Sequence, residues 1–136
     1  MPPLVEKFSK CDNNNLEDVI KNWFGVIDDY IKYFGGNDVP YWYNERASIS
    51  TLAAAAWKSG GIALEEYSMQ KGDEGNPRPG RCDIFIGINK RHFACEAKQA
   101  WCHIGGRARC GVVNARRGLE SAMQDAETLE DRKSVV

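Results

Sequence analysis

Three side chains in the middle of the sequence have the types and spacing to do chemistry together: Asp83, Glu96 and Lys98. Asp83 opens an apolar run, CDIFIGI, and Glu96 and Lys98 sit in a second β-type run, FACEAKQ, after a short polar turn. Successive strand residues face opposite ways. Cys82, Ile84, Ile86 and Ile88 therefore share one face of the first strand, and Asp83, Phe85 and Gly87 the other. A hairpin turning at Lys90-Arg91, or over Asn89 to His92, sets Asp83 opposite Lys98 and Phe85 opposite Glu96. Either turn gathers both carboxylates and the lysine on one face, and a one-residue slip would separate them. Two carboxylates beside a lysine suit a hard divalent cation, Mg²⁺ or Mn²⁺. Such an ion takes one or two protein carboxylates and completes its shell with water and phosphate. The lysine can hold or deprotonate a polarised water, or neutralise charge on a phosphate.

The elements that must position these residues follow from periodicity. Leu16, Val19, Ile20, Trp23, Ile27, Tyr30, Ile31 and Phe34 recur at helical spacing and predict a first helix, stopped by Gly35-Gly36. An aromatic turn through Pro40 to Tyr43 leads to a second helix over Asn44 to Ser59. Its Ala53 to Ala56 run is slim enough to approach a sheet closely. Ile62 to Met69 reads as a strand, with Ile62 and Leu64 alternating against Ala63. Residues 70–81 read as a Gly- and Pro-rich loop. The hairpin strands span Cys82 to Ile88 and Phe93 to Gln99. A connection over Ile104 to Gly111 precedes a last helix, Asn114 to Asp131, with Leu119, Ala122, Met123, Ala126 and Leu129 inward. Val135 and Val136 look like the start of a further strand.

This order, with Asp83 in GRCDIFI and Glu96 and Lys98 in FACEAKQ, resembles the PD-(D/E)xK nuclease superfamily. The resemblance covers residues 44–136 and implies a restriction-endonuclease-like α/β fold. Its αβββα(β) core is a mixed sheet flanked by helices, here with an extra N-terminal helical extension (1–43) and a short or missing last strand. It implies one nuclease-like domain over 1–136 that hydrolyses DNA phosphodiester bonds, with Asp83, Glu96 and the Ala97 carbonyl as metal ligands and Lys98 acting on the attacking water. Glu45 matches an acidic residue on the first core helix of many members. Gln124 compares with a glutamine of some branches, although Thr128 stands where their aromatic would be. Cys82 replaces the proline of the family's name.

Composition sets bounds on this reading. The 136 residues are 43% hydrophobic and 27% charged, with a formal net charge of −1, which suits one globular domain and excludes a general nucleic-acid coat. The charge is unevenly spread. Residues 75–117 hold nine basic side chains and only Asp83 and Glu96 as acids, a local charge of +7 against −8 elsewhere. Arg78, Arg81, Arg107, Arg109 and Arg116 are accordingly the candidate phosphate contacts. The five cysteines lack the close pairs of a zinc knuckle and are expected to be free thiols, with a cytoplasmic location and no membrane span. His92 and His103 are assigned no catalytic part. The alternative is a nuclease-fold module that does not cleave. It would bind or assemble as a homodimer, or as a piece of a longer protein whose C-terminal segment completes the sheet.

Overall fold

The computed structural model describes residues 14–72, 75–101 and 108–127. Three α-helices and a three-stranded antiparallel sheet make a mixed α/β fold. The helices are α1 (Asn14–Tyr33), α2 (Glu45–Lys58) and α3 (Ala108–Glu127), and the strands are β1 (Ile62–Lys71), β2 (Arg78–Ile88) and β3 (Arg91–Cys95). Helix α1 packs on α2, and α2 packs on β1 and β2. Val19 of α1 and Ala53, Ala55 and Ala56 of α2 meet Ala63, Ile84, Ile86 and Ile88 of the sheet in one buried cluster. The alanine run lets the helix backbone come close to the strands, as its slimness predicts.

Two joints hold the helices in register. The α2 N-cap is Asn44, whose side chain accepts from Ala47 N at 2.9 Å. Asp38 accepts from Tyr30 Oη at 2.6 Å, Tyr43 Oη at 2.7 Å and Val39 N at 2.8 Å. That hub ties the α1–α2 connection to α1. At the other end of α2, Gly60 takes φ +83° to end the helix. A Cβ on Gly61 would stand 2.5 Å from the Gly87 carbonyl oxygen, so α2 and the sheet meet through bare backbone there.

The strands correct several expectations. Residues 70–81 are not all loop, because the β1–β2 ladder runs on to Lys71 opposite Arg78. Pro79 is tolerated within β2 because β3 reaches only as far as Ile84, so among the described residues that stretch of β2 is paired on one side alone. The hairpin turns at Asn89-Lys90, both with positive φ (+49° and +62°) as a type I′ turn requires. Phe85 thus pairs with Ala94 rather than Glu96, and Gly87 with His92. The shift is two residues, so the faces survive: Cys82, Ile84, Ile86 and Ile88 are buried together. Within β1 the alternation is inverted, with the small Ala63 inward and Ile62 and Leu64 about half exposed. On that outer face Tyr67 stacks on Phe85, ring centroids 5.4 Å apart.

Helix α3 starts at Ala108, before the expected Asn114, and its inner face also differs. Leu119 and Met123 are exposed. Gly118, Ala122 and Asp125 are its half-buried positions among the side chains described, and they recur at helical spacing. A Cβ on Gly118 would lie 3.4 Å from Ala100 Cβ. The helix approaches the chain after β3 through small residues, not through its apolar stripe. The sheet of the described residues is purely antiparallel rather than mixed. The suspected last strand at Val135–Val136, the loop arginine Arg107, and Cys11, Cys102 and His103 lie outside the described residues.

Candidate active site

The corrected register brings a different pair together. The last β2–β3 pair is Ile84 with Cys95, and the next step sets Asp83 level with Glu96, not with Lys98. Strand β3 stops there, so Glu96, Ala97 and Lys98 lie on the chain leaving it. Carboxylates take over from the ladder in fixing that chain. Asp83 Oδ2 accepts from Ala97 N at 2.7 Å, and Glu45 Oε2 accepts from Gln99 N at 2.8 Å. The Gln99 side-chain amide donates to the Tyr41 carbonyl at 2.9 Å, fixing the same segment to the start of α2. Two of the candidate acids therefore satisfy backbone N–H groups that would otherwise lack partners.

The Glu96 side chain is well enclosed, 4% exposed. Burial raises its pKa above the usual carboxylate range. Lys71 opposes that rise, and the neighbouring Asp83 carboxylate adds to it. Lys71 Nζ donates to Glu96 Oε1 at 2.7 Å. Lys98 is oriented differently: its Nζ lies 3.1 Å from Asp125 Oδ2 on α3. That hydrogen bond raises the lysine pKa, with burial opposing and the charges of Asp125, Glu45 and Asp83 adding.

A cleft of about 370 Å³ opens beside Asp83, lined by Glu45, Arg46, Ile49, Glu65, Glu66 and Asp83. Neighbouring strand residues such as Glu65 and Glu66 ordinarily face opposite ways. Glu66 instead takes φ +50°, where the ladder skips its step with Asp83, and both carboxylates reach the same cleft. Such a φ is uncommon outside glycine, and here it is held from two sides. Arg46 bonds Glu66 Oε1 at 2.5 Å and Arg81 bonds Oε2 at 2.7 Å. A second, apolar cleft of about 290 Å³ adjoins the site, and Trp23, Tyr41, Leu52, Glu45 and Lys98 are among its lining residues.

Asp83, Glu96 and Ala97 are thus neighbours, and Glu45 and Lys98 border them. The donor chemistry suits a hard cation, since two adjacent carboxylates match what Mg²⁺ takes from protein. Among the described residues, no three His, Cys, Asp or Glu side chains converge on one point. Of the arginines, Arg78, Arg81 and Arg116 are exposed, Arg81 engaging Glu66, while Arg109 falls on α3. Gln124 is exposed, and its neighbour Asp125 contacts the lysine instead. Cys82 and Cys95 are free thiols, and burial holds the Cys95 thiol up at about 11. Among the described residues no helix is long and apolar enough to cross a membrane.

Sequence reasoning missed Lys71, Gln99 and Asp125. Lys71 stands 25 residues from Glu96, in a stretch that reads as loop, so no local pattern points to it. No protein-family model, curated protein or solved structure matches the chain.

Proposed function

We propose that this chain is a metal-dependent nuclease of the PD-(D/E)xK type that hydrolyses DNA phosphodiester bonds. The observation that carries the reading is the meeting of Asp83 with the enclosed Glu96 at the end of β3, with Lys98 and Glu45 at their border. The succession α2, β1, β2, β3, α3 also agrees with the αβββα part of a restriction-endonuclease-like core. Asp83, Glu96 and the Ala97 carbonyl would hold Mg²⁺ or Mn²⁺. When bound, such an ion offsets charge on the phosphate and makes water a better nucleophile.

The residues around that point have separable tasks. Lys98 would act on the attacking water or a phosphate oxygen as a hydrogen-bond donor, and Asp125 raises its pKa. Asp83 fixes the Ala97 backbone and so the direction of Glu96 and Lys98 on either side. Glu45 does the same one step later, through Gln99. Arg78, Arg81 and Arg116 supply exposed cationic groups for the phosphate backbone, an interaction that weakens steeply with salt.

The test is cleavage of single- and double-stranded DNA in Mg²⁺ or Mn²⁺ by the wild type, Glu96→Ala and Lys98→Ala. Cleavage by wild type and its loss in both variants is the expected result. Absence of cleavage of any DNA or RNA, together with absence of metal binding, overturns the enzyme reading. A module that binds or assembles without cutting is the second reading. The half-exposed Ile62 and Leu64, and an outer edge of β3 that no strand among the described residues pairs with, favour it. Light scattering would then report a homodimer, or association with a segment that completes the sheet.

A further inference from the structure

Lys71 closes β1, and its ammonium lies 2.7 Å from Glu96 Oε1, with the two side chains 20% and 4% exposed. It reaches that oxygen by crossing the neighbouring strand at Gly80. A Cβ on Gly80 would stand 2.6 Å from both Cγ and Cδ of Lys71, so the lysine stem lies in the space a side chain would fill. Gly80 shows no left-handed φ that would call for glycine. Its lack of a side chain serves the passage of the lysine. The salt bridge and the glycine gap are separate observations, and both lead to the same oxygen.

We propose that Lys71 is an internal counter-ion of the candidate metal site, which a divalent cation must displace from Glu96 in order to bind. This rests on the reading of Asp83 and Glu96 as metal ligands. Two neighbouring carboxylates in a water-poor position repel each other, and the ammonium relieves the repulsion while no cation is there. Lys71 Nζ holds Glu96 Oε1 at hydrogen-bond distance. A cation ligated by that oxygen at roughly 2.1 Å would stand only about 4 Å from the ammonium, a strong like-charge contact. Occupation by a divalent ion and by Lys71 therefore compete. A displaced ammonium at the rim of the site would face an incoming phosphate.

The experiment is Mn²⁺ titration of the full chain, read from the EPR signal of free Mn²⁺, for the wild type, Lys71→Gln, Lys71→Arg, Gly80→Val and Glu96→Gln. Lys71→Gln is expected to bind Mn²⁺ at least tenfold more tightly than wild type, and Lys71→Arg to bind like wild type. Gly80→Val keeps the lysine but closes its passage, and is expected to shift affinity in the same direction as Lys71→Gln. It carries the test should the glutamine variant not fold. Structural damage would weaken binding, so tightening is the diagnostic sign. Unchanged or weaker binding in Lys71→Gln and Gly80→Val, with binding lost in Glu96→Gln, overturns the counter-ion role and leaves the metal site standing. Wild-type affinity in Glu96→Gln would instead remove Glu96 as a ligand, and the counter-ion role with it.

Discussion

Removing the Glu45 carboxylate tests whether this side chain holds the chain that carries Glu96 and Lys98. Glu45 is half-buried in the first turn of α2, and its Oε2 takes the Gln99 N–H at 2.8 Å. A hydrogen bond to a charged group is worth about 1.5–3 kcal/mol, and leaving the partner N–H unsatisfied sets the loss at the upper part of that range. The carboxylate also faces the positive end of the helix, adding about 0.3–1 kcal/mol. Partial exposure reduces both, so Glu45→Ala is expected to cost about 2 kcal/mol. For a domain of this size that corresponds to a fall in Tm of about 8 °C. Glu45→Gln keeps an acceptor oxygen and loses only charge, so it is expected to cost under about 1 kcal/mol. Urea unfolding followed by circular dichroism measures both, and hydrogen exchange at the Gln99 amide reads the contact itself. The alanine variant falling within about 0.5 kcal/mol of wild type would refute the reasoning. So would a glutamine variant as unstable as the alanine.

The Asp38 hub gives a pH prediction. Hydrogen bonds from Tyr30 and then Tyr43 lower the Asp38 pKa, so its contribution to stability is full above the ordinary carboxylate range and is lost as the pH falls through the folded-state value. The stability gap between wild type and Asp38→Asn, from urea titrations at several pH values, should therefore be constant near neutrality and shrink below about pH 4. A gap that widens in acid contradicts this. Gly61→Ala drives a methyl to 2.5 Å from the Gly87 carbonyl oxygen and is expected to destabilise by about 1–3 kcal/mol in the same assay. A neutral result would mean that α2 shifts freely over the sheet. With burial holding its thiol near 11, Cys95 should resist alkylation by iodoacetamide at pH 7.5 in the native protein and react in urea. Peptide mapping distinguishes the two.

The parts of the fold legible in the sequence are those decided by local periodicity. Val19 and Ile27 mark the inner face of α1, the alanine run marks the contact of α2, and Cys82 to Ile88 alternate as the burial does. The hairpin itself was legible, but the position of its turn was not. Asn89-Lys90 and Lys90-Arg91 are equally polar, and only the positive φ at Asn89 and Lys90 separates them. Because the resulting shift is an even number of residues, Asp83 and Glu96 still share a face, although the partner of Asp83 changes. Lys71 and Asp125 were not legible because their contacts depend on how separate elements lie in space. Lys71 reaches Glu96 across a glycine of another strand, and Asp125 reaches Lys98 because α3 approaches through Gly118. The apolar stripe of α3 misled for a related reason. Amphipathic spacing marks a face able to be buried, and here the small residues meet the chain after β3 while Leu119 and Met123 stay exposed.

The most direct test of the central claim is a crystal structure of the protein soaked in Mn²⁺, with the anomalous signal used to locate the ion. One ion is expected, ligated by Asp83 and Glu96, with the Ala97 carbonyl in its shell and Lys71 moved off Glu96. A clean map with Lys71 still on Glu96, or an ion bound away from Asp83 and Glu96, would contradict it.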